Sequence, residues 1–147
     1  MPTDDPFDLA RFTSAQETTY ARALAEIRSG DKRSHWMWFI FPQIAGLGFS
    51  AMAQRFAIGS DAEAVAYLEH TLLGPRLVEC TRLVMAASEK PVTDILGSPD
   101  DMKFRSCMTL FDAVSKQEIF AEAIAAFYPD GEDSATLEIL ETSRRRS

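Results

Sequence analysis

The chain has 147 residues, 46% hydrophobic and 25% charged, a composition that excludes a disordered chain and suits one folded domain with its own core. Its net charge of −7 opposes binding to a phosphate backbone over the whole surface, so a nucleic-acid duplex is not an expected partner. Cys80 and Cys107 lie in apolar helical patterns, which suits reduced buried thiols better than a disulfide framework.

The opening MPTDDPFD is acidic and lacks an apolar stretch, so no signal peptide is expected there. The longest apolar run, Trp36–Phe41, is too short to span a bilayer, and the expected setting is the cytoplasm with no membrane partner. Helix starts are written along the chain. Ser14-Ala15-Gln16-Glu17, Ser60-Asp61-Ala62-Glu63 and Ser115-Lys116-Gln117-Glu118 each fit the capping box, in which Ser accepts the N–H three residues on and Glu reaches back. Ser98-Pro99-Asp100-Asp101 reads as a cap, a proline at the first helical position and two acids favoured by the helix dipole. Asp133 is suited to cap a last short helix, and Gly30, Gly97 and Gly131 each follow a helical stretch as a stop.

Between these signals the apolar spacing is helical. Tyr20, Ala23, Leu24 and Ile27 form one stripe; Leu73, Leu77, Cys80, Val84 and Ala87 form another. Phe104, Cys107, Met108 and Phe111 form a third, and Ile119, Phe120, Ala123, Ile124, Phe127 and Tyr128 a broad fourth. Trp36–Phe41 has strand-like composition, but an isolated strand leaves its backbone unpaired, so a short buried helix ending at Pro42 is expected. The expectation is an all-α compact single domain of about six to eight helices over residues 1–147, with 143–147 as a frayed basic tail.

The most unusual stretch is KRSHWMWFIFPQIAGLGFSAMAQRF at 32–56. A helix starting at Ser34 would bring free N–H groups, its dipole, Lys32 and Arg33 to one place, an anion site beside His35. His35 would serve there as acid, base or donor near neutral pH, and Trp36 and Trp38 would offer an aromatic face. The competing account is structural: solvated cations, Ser34 as a cap, and the Trp pair in the core. Gly46-Leu47-Gly48-Phe49-Ser50 allows close backbone approach and ends at a helix start, with Gln43 just ahead of it. It is neither a P-loop nor a dinucleotide fingerprint, and a turn between helices also explains it. Lys103 and Ser106, with Arg105 and Thr109 nearby, give the helix that follows Asp100 and Asp101 a polar stripe, which a functional reading sets across a pocket from His35.

Other chemistries fit less well. Cys107 sits in an apolar register, where thiols are inert. Two His and two Cys without ligand spacing do not form a zinc site, and Asp130-Gly131-Glu132-Asp133 lacks the mid-loop glycine of a calcium loop. No metal or cofactor is expected.

Four blocks carry a resemblance: DPFDLARFTSAQ (5–16), KRSHWMWFIFPQIAGLGFSAMA (32–53), AYLEHTLLGPRLVEC (66–80) and DDMKFRSCMTLFDAV (100–114). Together they resemble the domain of unknown function 1810 family, over nearly the whole chain. The resemblance implies a small, single-domain, mostly helical protein and supplies no reaction. The family's His-Pro stands here as His70-Thr71, and its paired serines as Ser106-Cys107. The calpastatin label some members carry does not transfer, because that inhibitor is a disordered chain and this one is compactly patterned.

Three functional readings follow. The first is a domain binding a small anionic or nucleotide-like molecule through residues 33–50 and 103–109: Arg33, Ser34, His35, Trp36, Trp38, Gln43, Gly48, Ser50, Lys103 and Ser106. The second is a hydrolase or glycosyl-type enzyme with His35 as catalytic general acid/base. The third is an interaction module with an exposed aromatic patch. Oligomeric state is not legible in the sequence.

Overall fold

Helix α8 (Asp100–Val114) runs through the interior, and the rest of the fold is arranged around it. Its Phe104, Ser106, Cys107, Met108, Thr109, Leu110 and Phe111 are all buried. A helix buried around most of its circumference must have neighbours on most sides. It packs against α5 (Asp61–Glu69), α7 (Val92–Leu96), α9 (Glu118–Phe127) and α10 (Ser134–Arg146). A second layer is organised by α6 (Leu73–Ala86), which contacts α5, α9 and α2 (Tyr20–Arg28). Helix α1 (Ala10–Glu17) packs on the short α3 (Met37–Ile40), and α4 (Ala51–Arg55) completes the set. This is a computed structural model, and it describes residues 5–146.

The architecture is all-α, as the periodicity predicts, but with ten helices among the described residues instead of six to eight. Three of the ten are short, α3, α4 and α7 of four, five and five residues, and of these the helix before Pro42 and the helix start at Ser50 are among the sequence expectations. Fewer than two turns cannot display a repeating apolar stripe, so such helices escape a periodicity reading. Trp36–Phe41 does hold a short helix, and it ends before Pro42. One parallel bridge joins Ile44 to Ile58, with Ala45 N–H donating to Ile58 O and Ile58 N–H to Gln43 O, both at 2.8 Å. It ties the two ends of the glycine loop and α4 together.

The capping signals divide. Ser60 Oγ accepts the Glu63 N–H at 3.1 Å, and Glu63 reaches back to the Gly59 N–H at 3.0 Å, so α5 starts as read. Asp133 caps α10 through the Thr136 N–H at 3.2 Å, and Ser50 caps α4 through Ala53. Three starts need correction. Ser14 lies inside α1, whose first N–H groups are taken by Asp5: Leu9 at 2.6 Å and Ala10 at 2.9 Å. Ser98 does not cap α8, because the carbonyls of Gly97 and Pro99 already accept the N–H groups of Asp101, Met102 and Lys103. Ser115 closes a turn onto the Gln117 N–H at 3.0 Å, and α9 begins after it. Gly30 and Gly97 hold positive φ at helix ends, as the stop signals require, whereas Gly131, also at positive φ, lies in the turn beyond Tyr128, the C-cap of α9. Helix α10 continues through 143–146 where a frayed tail is expected, with Arg144 donating to Asp61 at 2.7 Å.

Ring contacts tie the layers together. One series runs Phe39–Phe56–Phe12–Tyr67–Phe111–Phe120, with centroids 5.1–5.9 Å apart. The other runs Trp36–Phe41–Phe104–Phe127–Tyr128 at 4.9–6.4 Å. Such pairs contribute about 0.5–1.5 kcal/mol each beyond their burial. The second series fixes α3 against α8, and that contact sets the geometry of the site.

Candidate functional site

The segment read as an anion site is built like one, and the chain fills it itself. The backbone N–H groups of Arg33 and Ser34 both donate to Glu26 Oε1 at 2.8 Å. Ser34 Oγ donates to Oε2 at 2.6 Å, and the Trp36 indole to Oε1 at 2.9 Å. Burial alone would raise the carboxyl, but the hydrogen bonds from Ser34, Arg33 and Trp36 outweigh it and hold the group down at about 2. No helix begins at Ser34: α3 starts at Met37, which corrects the sequence expectation.

The neighbouring cation is committed as well. Lys32 Nζ donates to Ser34 O at 2.6 Å, pairs with Asp100 at 2.8 Å and lies 4.9 Å from the centre of the Trp36 ring. Arg33 is exposed and pairs with Asp31 at 2.9 Å. His35 is exposed, and Trp36 has no exposure at all. Arg33, Ser34, His35 and Trp36 therefore do not line the cleft on the other side of α3.

On the other side of α3 is a cleft of about 540 Å³, within the range typical of small-molecule sites. Trp38, Gln43, Gly48, Ser50, Lys103 and Ser106 all line it, so six of the ten expected residues are brought together. The Trp pair divides: consecutive side chains two apart on a helical turn point in different directions, sending Trp36 to the core and Trp38 to the cleft wall. Met37, Phe41 and Phe56 complete an apolar wall, and residues 45–50 form a glycine-rich rim. Gly46 has φ +105°, a conformation few side chains allow, and a Cβ on Gly48 would stand 2.7 Å from that of Ala53. At the mouth, Phe49 is 82% exposed and Met102 46%.

The polar end comes from α8 and the start of α10. Lys103 Nζ lies 5.1 Å from the Trp38 ring centre and 3.5 Å from Asp100 Oδ1. Ser106 Oγ donates to Asp133 Oδ2 at 2.9 Å. That same oxygen accepts the Thr136 N–H at 3.2 Å and the Thr136 hydroxyl at 2.5 Å. The Asp133 N–H donates to Thr109 Oγ1 at 2.9 Å. Sequence reasoning read Asp133 as a cap only and missed Glu26 altogether. A carboxylate one turn before the Gly30 stop was the available signal, since a chain reversing there can fold back onto the next free N–H groups.

The thiols lie elsewhere. Cys80 and Cys107 are unpaired and buried. Burial, partly offset by a hydrogen bond with Tyr20, pushes the Cys80 thiol up to about 12, and burial raises Cys107 as well. His70 is structural: its Nδ1 accepts the N–H groups of Leu72 and Leu73 at 3.1 and 3.2 Å, capping α6. Among the described residues, no three His, Cys, Asp or Glu side chains come together as a metal site. Nor is any described helix long and apolar enough to cross a membrane.

Fold and cleft define a small helical protein with a mixed apolar and charged pocket between α3, α4, α8 and the start of α10. The chain belongs to the family described as protein of unknown function (DUF1810), whose model matches residues 6–140. It is similar to the conserved hypothetical protein Rv1873 from Mycobacterium tuberculosis, known from a crystal structure. The two share 48% identity with a TM-score of 0.91, covering 93% of this chain and 99% of that one. No curated protein matches the chain.

Proposed function

We propose that this is a cytoplasmic binding protein whose α3–α8 cleft takes a small anionic molecule with a flat ring. The observation that carries this reading is the convergence of Lys103 with Trp38, Phe41 and Phe56 on one cavity. The apolar wall suits a ring, and the lysine suits an anionic group at its edge. The cation is not saturated within the protein. Asp100 is nearer to Lys32, at 2.8 Å, than to Lys103, at 3.5 Å, which is beyond a good hydrogen bond.

An enzyme using His35 would need a different surface for its substrate, because His35 does not line the cleft. The exposed Phe49 favours the interaction reading as the second choice, and a concentration-dependent dimer mass would support it.

The test is a thermal-shift panel of nucleotides, sugar phosphates and aromatic carboxylates at millimolar concentration. A ligand at a hundred times its Kd stabilises by about 2.7 kcal/mol, well within detection. At least one compound should raise Tm, and Lys103→Met should remove that shift. A flat panel, or an unchanged response in Lys103→Met, would overturn the reading.

A further inference from the structure

Asp133 is held more firmly than a helix cap requires. Capping α10 uses one bond, from the Thr136 N–H. Two hydroxyls, from Ser106 and Thr136, converge on the same Oδ2, and Thr109 fixes the backbone N–H. The side-chain hydrogen bonds of Asp133 among the described residues all fall on Oδ2, which leaves Oδ1 free, and Asp133 lines the cleft. The bonds to Oδ2 fix the plane of the carboxylate and so the position of Oδ1.

We propose that Asp133 is the specificity-determining residue of this cleft, its Oδ1 accepting a hydrogen bond from an amino or hydroxyl group of the ligand. The preferred class is then a flat ring bearing an anionic group at one edge and an N–H or O–H donor at another. The inference rests on the reading of the cleft as an anion-binding pocket and specifies its ligand.

The geometry supports both ends of that description. Lys103 and Ser106 are three residues apart on α8, an axial rise of about 4.5 Å. Asp133 is bonded to Ser106, so cation and carboxylate are offset along the cleft by a span that one substituted ring bridges. The carboxylate also supplies a repulsive element. An anionic ring without a donor would bring its negative charge near Asp133 with nothing to offset it. Gln43, whose side chain has no partner among the described residues, lines the same cavity and adds an adaptable amide.

The experiment compares 4-aminobenzoate, 4-hydroxybenzoate and 4-methylbenzoate by two-dimensional NMR titration of the full chain. The first two should bind about ten- to a hundredfold more tightly than the third, the size expected for a hydrogen bond to a charged group. Asp133→Asn should bring the three within about threefold of each other, and Lys103→Met should weaken all three together. The wild-type series decides the matter even if Asp133→Asn fails to fold. Equal binding of all three to the wild type would overturn this inference and leave the anion-binding reading standing. A preference kept in folded Asp133→Asn would overturn it too. No perturbation of cleft residues by any of the three would remove both readings.

Discussion

The indole N–H of Trp36 donates to the Glu26 carboxylate at 2.9 Å, from a ring with no solvent exposure to a side chain one helix away. This contact explains why the segment around Ser34 offers no open anion site. The donors that would hold an external anion are present, at hydrogen-bonding distance and in the expected place. A carboxylate of the chain already occupies them, and they serve to fasten the α2–α3 connection.

Glu26→Gln should therefore destabilise the fold without affecting the cleft. An amide keeps one acceptor oxygen for the Arg33, Ser34 and Trp36 N–H groups, turns its NH2 toward the Ser34 hydroxyl and removes the charge that strengthens all four bonds, so a cost of about 1–3 kcal/mol is expected. The pH dependence has a definite sign. A carboxyl held at about 2 contributes stability above its ordinary titration range and loses it as pH falls from about 5 toward 2, where the unfolded chain protonates first. Urea denaturation between pH 7 and 3 should show a weaker pH dependence for Glu26→Gln than for the wild type. Parallel curves would refute the assignment.

Much of the scaffold was legible, because the long helices carry stripes such as Phe104-Cys107-Met108-Phe111 and caps such as Ser60. What escaped was set by contacts distant in sequence. Whether Trp36 or Trp38 faces the core depends on where α3 lies against α8, which one helical turn does not encode. Asp133 reaches Ser106 across 27 positions, and local pattern reading sees only its capping bond to Thr136. The cleft's glycine loop was visible as a turn. Its role as a rim follows from the Ile44–Ile58 bridge, a single pairing with no repeat to announce it.

Gly74→Ala should be among the most damaging substitutions of a small residue. Helices α5 and α6 approach so closely that a Cβ at Gly74 would stand 2.1 Å from the Leu68 carbonyl oxygen, and backbone cannot swing aside as a side chain can. The helices must separate, at a cost of about 2–3 kcal/mol and a Tm lower by about 5–10 °C. Calorimetry would check this; a Tm within a degree of the wild type would mean that the two helices slide freely.

Both thiols should resist modification in the folded protein. Cys80 is pushed up to about 12 and Cys107 is raised by complete burial, so neither presents thiolate near neutral pH. A disulfide reagent at pH 8 should label less than a tenth of either in the time that fully labels the urea-unfolded chain. Rapid native labelling of one cysteine would show a local opening of α6 or α8.

The two tryptophans provide an internal control for any ligand that enters the cleft. Trp36 is sealed in the core with its N–H bonded to Glu26, whereas Trp38 lines the cavity under the Lys103 ammonium. Acrylamide should quench the emission in two populations, one reached and one shielded. Trp38→Phe should leave only the shielded component and keep the fold, since a smaller ring still covers the wall. A bound aromatic anion should then protect the quenchable component in the wild type and change nothing in Trp38→Phe. Because Lys103 lies against the same ring, Lys103→Met should increase quenching of Trp38 without ligand, by removing the side chain that covers it. If Trp38→Phe leaves the quenchable fraction unchanged, the accessible indole is Trp36, and the division of the pair between core and cleft is wrong.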